Sequence, residues 1–497
     1  MKPIKEQRSS YDHILKYTGL LGGIQGLGIA VSLVRNKLVA VLLGPEGMGL
    51  ISLFNSTIKL ISDSTNLGIS VSSVRNLSEA YEKGDEDKLR RQVLVARSWG
   101  LLTALAGVLI FMLAGPLLNK GTFSWGDHTM HYILLSPVVG MMAITGVEMA
   151  ILKSTGKLGS LAMISIYNMI ASLVISIPLF YLYGMSGIVP SIVLFTFVQM
   201  ITTLAYSYRL FPLKFSFRRD ILGEGLGMVW LGIAFVAAGI FGSGADFIIR
   251  SYLNNVASLE MVGFYNTGYM ITMVYGGMVF TAMESDFFPR LSAVNSDVTA
   301  CNQTVNRQIE VSLLLVSPML VALIVGLPIL IPLLFSGRFL PVVPLVQLMV
   351  LALYFRAVKL PISYLTLAKG DSRSFLLLEA VYSIMIVPAV IVAFNTWGLI
   401  GTGVAIVGAG LLDAVIIFVY CSLRYRYRVT REVVSYLLAQ IPIGIVAYIM
   451  TLLLDGIAYW LVGVLLTMVS TVFTFIILKQ KTSLWNKLTQ RFHQKKE

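Results

Sequence analysis

The sequence predicts an all-α polytopic membrane protein of about 14 transmembrane helices, built as two parallel six-helix lobes plus two C-terminal helices. Three observations carry this. Of 497 residues, 56% are hydrophobic and only 13% charged, against roughly 25% charged in soluble domains; mean hydropathy is +0.80. The apolar residues fall in long continuous runs of membrane length, not in the period-two alternation of a β-barrel. The third is an internal repeat.

A hydrocarbon core of about 30 Å takes about 20 helical residues. Fourteen segments qualify: 16–43, 47–79, 93–118, 129–153, 158–183, 186–210, 221–253, 258–290, 308–335, 342–368, 373–396, 398–424, 432–454 and 457–479. The second and eighth carry the most polar residues. The 43 glycines fit helices that pack closely and bend. Basic residues mark alternate loops: Lys2, Lys5 and Arg8; Lys83, Lys88, Arg90 and Arg91; Lys153 and Lys157; Lys214, Arg218 and Arg219; Arg307; Lys369 and Arg373; Arg426, Arg428 and Arg431; Lys479, Lys481 and Lys487. The intervening loops hold few, Lys120 and Arg338 among them. The positive-inside bias then places both termini in the cytoplasm. It also accounts for the net charge of +13 without nucleic acid as a partner.

Arg35 and Arg250 lie 215 residues apart, as do Arg75 and Arg290, Tyr167 and Tyr382, and Arg209 and Arg424. Local context agrees: SVRNLSEA resembles FPRLSAV, and YLYGMSGIVPSIV resembles AFNTWGLIGTGVAIV. Six helices per half give both halves the same orientation, a parallel repeat with a binding site expected between them. The expected organisation is 1–215 and 216–430 as lobes, with 431–497 holding two extra helices and a basic tail.

Charge inside these segments costs roughly 2.5–3.5 kcal/mol per residue at a helix centre by insertion scales, so it marks cavities or partners. It concentrates on the repeat-equivalent hairpins: Arg35, Lys37, Lys59 and Asp63 in the first, Asp246, Arg250, Glu284, Asp286 and Arg290 in the other, with Arg75 closing helix two. Lys59 and Asp63, and Asp246 and Arg250, are four apart and share a helix face. Arginine suits phosphate because its planar fork donates in parallel and stays charged. Arg35, Lys37, Lys59 and Arg250 are therefore the expected diphosphate contacts; Asp63, Arg75, Asp246, Glu284, Asp286 and Arg290 are expected in coupling or gating. Arg75 also fits simple snorkelling at a helix end, and a bridge from it to Glu284 or Asp286 is the sharper expectation. Glu148, Glu224, Arg356, Lys359, Glu379 and Asp413 are secondary candidates, read as anchoring or packing.

Other chemistry is not evident. No G-x-x-x-x-G-K-[ST] loop, metal constellation or nucleophile elbow occurs, so no cofactor is expected and the chain reads as a non-enzyme. Cys301 and Cys421 make no framework. His128-x-x-His131 reads as a pair of solvated loop histidines. The first apolar run is too long for a signal peptide.

The run VRNKLVAVLLGPEGMGL around Arg35, the FFPRLS close of helix eight and the twice-six repeat resemble the multidrug/oligosaccharidyl-lipid/polysaccharide exporter superfamily, and within it the Wzx-type O-antigen and enterobacterial common antigen flippases. Fourteen helices also resemble the lipid II flippases, in which a first-helix arginine faces the cavity and the last two helices help hold the polyprenyl tail. Arg35 matches that arginine; the second-helix arginine of those proteins falls near Asp63 and is not carried over. The resemblance implies an inner-membrane flippase moving an undecaprenyl-diphosphate-linked oligosaccharide (O-antigen, common antigen or capsule repeat unit) to the outer leaflet by alternating access. Its partners would be that glycan lipid, membrane lipid and a polysaccharide polymerase complex. The alternatives are a cation-coupled drug or metabolite antiporter of the same fold, and a membrane polysaccharide polymerase or ligase. The external loops, about 119–128 and 336–341, are short for the last.

Overall fold

A computed structural model describes residues 3–124 and 126–481. Lys2 and Lys487, counted above in the charge pattern, lie outside them. The fold is all-α, with no strand among the described residues. Helix α1 (Pro3–Thr65) runs through a kink at Gly44, where φ is 68° and ψ −169°; Pro45 follows and restarts the helix without needing an amide donor. Then come α2 (Ile69–Glu82), α3 (Glu86–Thr122), α4 (Thr129–Ser154), α5 (Leu158–Tyr183), a 3-10 turn (Gly184–Gly187) and α6 (Ile188–Tyr208). An extended linker leads to α7 (Arg219–Val256), followed by α8 (Leu259–Tyr269), a π-helical turn (Met270–Tyr275) and α9 (Gly276–Ala293). The rest is α10 (Val298–Leu334), α11 (Val343–Val350), α12 (Ala352–Ala368), α13 (Ser372–Tyr425), α14 (Arg431–Leu453) and α15 (Gly456–Lys481).

Nine helical stretches among the described residues are long and apolar enough to cross a membrane. Three of them, Gly26–Thr65, Leu158–Tyr208 and Ser372–Tyr425, each take in parts of two expected spans, because the hairpin turns are so tight that helix resumes at once. The expected spans 221–253 and 258–290 correspond to α7 and to α8–α9. Two expectations need correction. The second span, 47–79, is not continuous: the chain breaks after Thr65, where the Asn66 side chain accepts the Gly68 amide at 2.7 Å and Leu67 and Gly68 take positive φ. The eighth is interrupted by the π turn, a register shift that periodicity does not announce.

The chain forms two compact units. One runs to Gly263 and takes in Leu333–Arg338; the other comprises Phe264–Pro332 and continues from Phe339. In the first, α2, α3, α4 and α7 share a core of Ile69, Leu77, Val93, Val147, Ile151 and Met228. There α1 crosses α8 with backbones in contact. A Cβ on Gly49 would lie 2.1 Å from the Leu259 carbonyl oxygen, and one on Gly263 would lie 2.0 Å from the Pro45 carbonyl oxygen. The two contacts are reciprocal, and each residue is 214 positions from its counterpart. The same spacing relates the 3-10 turn to the kink within α13. Gly184 has φ 55° and ψ −132°, and Gly398 has φ 62° and ψ −142°. Three residues on, Gly187 and Gly401 press on the carbonyls of Leu179 and Ala393. The repeat is thus built into the backbone, one residue out of step with the 215 of the side-chain matches.

In the second unit, α14 and α15 dock on α10 through polar contacts. The Tyr459 hydroxyl donates to the Val325 carbonyl at 2.9 Å and the Thr474 hydroxyl to that of Leu314 at 2.8 Å, while Ser470 donates to the Gln440 amide oxygen at 2.7 Å.

At the α3–α4 turn the histidines are half-buried and packed together rather than free in the loop. His128 stacks on Phe123 with centroids 4.0 Å apart, and its Nδ1 lies 3.1 Å from that of His131. The turn is anchored to α7, since Asn254 and Asn255 donate to the Thr122 and Gly121 carbonyls, each at 2.8 Å.

Two outcomes are expected. Gly263→Ala lowers the unfolding midpoint in detergent by the equivalent of about 1–3 kcal/mol of overpacking, because the obstructing atom is backbone; Gly227→Ala, with nothing within 4 Å of its Cβ, does not lower it. Equal midpoints would show that the crossing relaxes freely. For His128, burial and then the neighbouring His131 hold the imidazolium below its ordinary pKa, against Asp127. The unfolded chain therefore takes up that proton first, and stability is lost as pH falls from about 6.5 toward the folded value. His128→Phe keeps the stack and removes this part of the acid-side decline; an unchanged midpoint-against-pH curve would assign the decline elsewhere.

Candidate functional site

The first hairpin and α7 meet within the first unit. Where small residues let the helices close up, polar side chains bridge them. Arg250, buried at 4% exposure, lies one helical turn beyond Asp246. Its Nε is 3.0 and 2.9 Å from the two carboxylate oxygens, and Nη2 is 2.8 Å from one of them. Nη1 donates to the Ser52 hydroxyl on α1. The guanidinium is thus fixed to a carboxylate on its own helix and a hydroxyl on the next.

Arg35 is placed differently. It is half-buried on the first half of α1, and its Nε donates to the Ser176 hydroxyl of α5 at 3.2 Å. Lys37 is half-buried on the same stretch. Lys59 and Asp63 pair at 2.8 Å along α1, with the lysine 60% and the aspartate 25% exposed. The Asp63 carboxylate lies over Gly239 of α7, 3.7 Å from where a Cβ would stand. The second hairpin turn is closed by the neighbouring glycines: Gly68 and Gly232 each leave under 3 Å for the other's Cβ. Arg75 is exposed on α2.

The remaining expected gating residues lie in the second unit. Asp286 pairs with Arg290 at 2.6 Å along α9, both exposed. Glu284 accepts the Tyr364 hydroxyl of α12 at 2.8 Å. No group of three metal-ligating side chains occurs among the described residues.

Most secondary candidates pair with one another or with arginines of α3, while Arg356 donates to the Met273 carbonyl at 3.3 Å and lies over the Phe280 ring. Arg97 of α3 is the main omission. It is 6% exposed and grips Glu148 of α4 through Nε at 2.8 Å and Nη2 at 3.0 Å, while Ser207 of α6 donates to the same carboxylate at 2.5 Å. Its Nη1 donates to the carbonyls of Phe211 and Pro212 at 3.0 and 2.9 Å. The signal was present: an arginine in the apolar run VLVARSWGLL and a glutamate alone in another such run each require a counter-charge. In the second unit Lys359 of α12 pairs with buried Asp413, lies 3.8 Å from Glu379, and sits 4.9 Å over the Tyr382 ring. Glu224 pairs with Arg91.

Cationic groups of the site thus divide. Arg250 is buried against its carboxylate, whereas Lys59, though paired with Asp63, is 60% exposed, and Arg35 and Lys37 are half-buried on α1. A partly hydrated cation on a membrane helix can take phosphate oxygens without first breaking a buried pair.

Similar proteins were sought by sequence and by fold. Residues 38–344, more than half of the chain, match the family model described as polysaccharide biosynthesis protein. No curated protein sequence matches. Among solved structures, an inward-facing multidrug resistance MATE family transporter of the MOP superfamily superposes with TM-score 0.70 at 17% identity, covering 80% of this chain and 94% of that one. Lipid II flippase MurJ in an inward closed conformation gives 0.68 at 16% identity, covering 93% and 99%. A MOP superfamily transporter from Pyrococcus furiosus, reported with a binding pocket of reversed polarity, gives 0.58 at 16%, covering 83% and 96%. The chain belongs to the polysaccharide biosynthesis protein family and carries the fold of the multidrug/oligosaccharidyl-lipid/polysaccharide exporter superfamily.

Proposed function

We propose that this protein is an inner-membrane flippase that carries an undecaprenyl-diphosphate-linked oligosaccharide from the cytoplasmic to the outer leaflet, with both termini cytoplasmic. The observation that carries the reading is the set of partly exposed cations on the first hairpin, Arg35 and Lys37 ahead of the Gly44 kink and Lys59 beyond it, in a chain of a polysaccharide biosynthesis family. The likeness to a lipid II flippase over 93% of the chain agrees with a lipid-tailed substrate. Alternating access would run between the repeat halves 1–215 and 216–430. Arg35, Lys37 and Lys59 take the diphosphate. Arg250 joins them on release from Asp246, which makes that pair, with Asp63, the coupling element; Arg75, Glu284, Asp286 and Arg290 gate the cytoplasmic ends. The membrane potential helps: two negative charges leaving a negative interior gain roughly 4–5 kcal/mol per 100 mV.

The test is surface glycan display in cells carrying Arg35→Ala, Arg35→Lys or Arg250→Ala at matched protein level. Losing a hydrogen bond to a charged group costs about 1.5–3 kcal/mol, so Arg35→Ala is expected to cut the flipping rate roughly ten- to a hundredfold and to accumulate lipid-linked precursor inside. Arg35→Lys, which keeps charge but not the fork, recovers part of it. Normal display with Arg35→Ala would remove the cationic-site reading while leaving the family assignment intact. Normal display on deleting the protein, with loss of drug or metabolite efflux, would favour the antiporter.

A further inference from the structure

The first unit holds a second basic feature that the flippase reading does not use. Where the α2–α3 turn, the α4–α5 turn and the α6–α7 linker converge lies a cavity of about 960 Å³. Six basic side chains line it: Arg90, Arg91, Arg97, Lys157, Lys214 and Arg218, against the acids Asp85, Glu86 and Asp220. Four of the cations are engaged. Arg97 is held by Glu148 and Arg91 by Glu224, while Arg90 lies 3.4 Å from Glu86 and Arg218 lies 3.6 Å from Asp220 in exposed pairs. Lys157 and Lys214 are exposed at the wall and make no ion pair among the described residues.

The linker supplies the second, independent observation. It is extended, and its side chains alternate. Pro212, Lys214, Ser216 and Arg218 line this cavity; Leu213 and Phe215 line an adjoining, mainly apolar hollow with Leu101, Ile144 and Tyr208, and the Arg97–Glu148 pair lies at its wall. Leu213, Phe215 and Phe217 are each about half exposed, at 53%, 52% and 47%. The strap is not loose. Arg97 binds its Phe211 and Pro212 carbonyls, and the Ser216 amide donates to the Ser98 hydroxyl at 2.9 Å. A fixed linker with a row of aromatic and aliphatic side chains on one edge and cations on the other fits the boundary of a membrane, where aromatic rings settle at headgroup level and basic pockets take anionic headgroups. The loops that form the cavity are those whose lysines and arginines mark the expected cytoplasmic side.

We propose that this cavity seats the phosphate of an anionic phospholipid from that leaflet. Lys157 and Lys214 contact the headgroup phosphate, and Leu213, Phe215 and Phe217 lie against the first acyl carbons. The occupant would tie together the ends of α2, α4 and α6 on one side of the unit.

The experiment uses the full chain in lipid-free, non-ionic detergent and reads the unfolding midpoint on adding phosphatidylglycerol, phosphatidylcholine with the same acyl chains, or sn-glycerol 3-phosphate. The expected result is a clear upward shift with phosphatidylglycerol, under half of it with phosphatidylcholine, and none with the soluble ester at equal phosphate. Lys157→Gln with Lys214→Gln breaks no ion pair, so it leaves the lipid-free midpoint unchanged and at least halves the phosphatidylglycerol shift. Should that variant prove unstable, Phe217→Ser, at an exposed ring, takes its place with the same expected loss. Equal shifts from the two phospholipids, or a full shift in the variants, would overturn the proposal. A full shift from sn-glycerol 3-phosphate would overturn its lipid source and leave a soluble phosphate site. None of these outcomes depends on which glycan is carried, or on whether any is.

Discussion

The arrangement depends on a backbone-to-backbone crossing. Between membrane helices there is no hydrophobic drive, because lipid tails are as apolar as leucine; association rests on close packing and on polar contacts. Gly49 against the Leu259 carbonyl and Gly263 against the Pro45 carbonyl bring α1 and α8 as near as two helices can come. With that distance set, the chain entering α8 from α7 runs beside α1. Gly68 meets Gly232, Asp63 lies over Gly239, and Ser52 comes within reach of Arg250. Any side chain at the crossing would separate these contacts together.

Charge follows the same economy of partners. The buried cations Arg97 and Arg250 have their counter-ions in direct contact, Glu148 and Asp246, and half-buried Lys359 reaches buried Asp413. Such pairs contribute little net stability, since desolvation offsets most of the attraction, yet removing one member leaves a stranded charge costing about 3–5 kcal/mol. They act as position markers. Arg97 is the clearest, because its remaining donors hold the linker carbonyls and so carry the position of a transmembrane helix out to the membrane surface.

The extent of many helices was legible in the sequence, because a membrane demands about 20 apolar residues per crossing and few other constraints compete. The spans 129–153 and 158–183 match α4 and α5 almost residue for residue. The break at Asn66–Gly68 was less visible, since a left-handed turn inside an apolar context leaves hydropathy unchanged. The site was legible as a set of residue types only. The i, i+4 spacing foretold Lys59–Asp63 and Asp246–Arg250, both of which form. Pairs joining distant helices have no such period, so Arg97–Glu148 and Arg35–Ser176 required the fold. The pattern 213–218 reads as alternation once the linker's two edges are known, but six residues between helices are too few to reveal it by sequence.

The repeat-related segments share their glycine turns and differ in their electrostatics. At the spacing of 214 set by Gly49 and Gly263, the ion cluster of Lys359, Glu379 and Asp413 corresponds to Thr145, Ser165 and Gln199, all uncharged. Conversely, Arg97 and Glu148 correspond to Val311 and Ile362. Each copy keeps one ionic knot that the other lacks. A chimera carrying two first halves would preserve every glycine turn and still lack half of the internal fields, so the copies are no longer interchangeable.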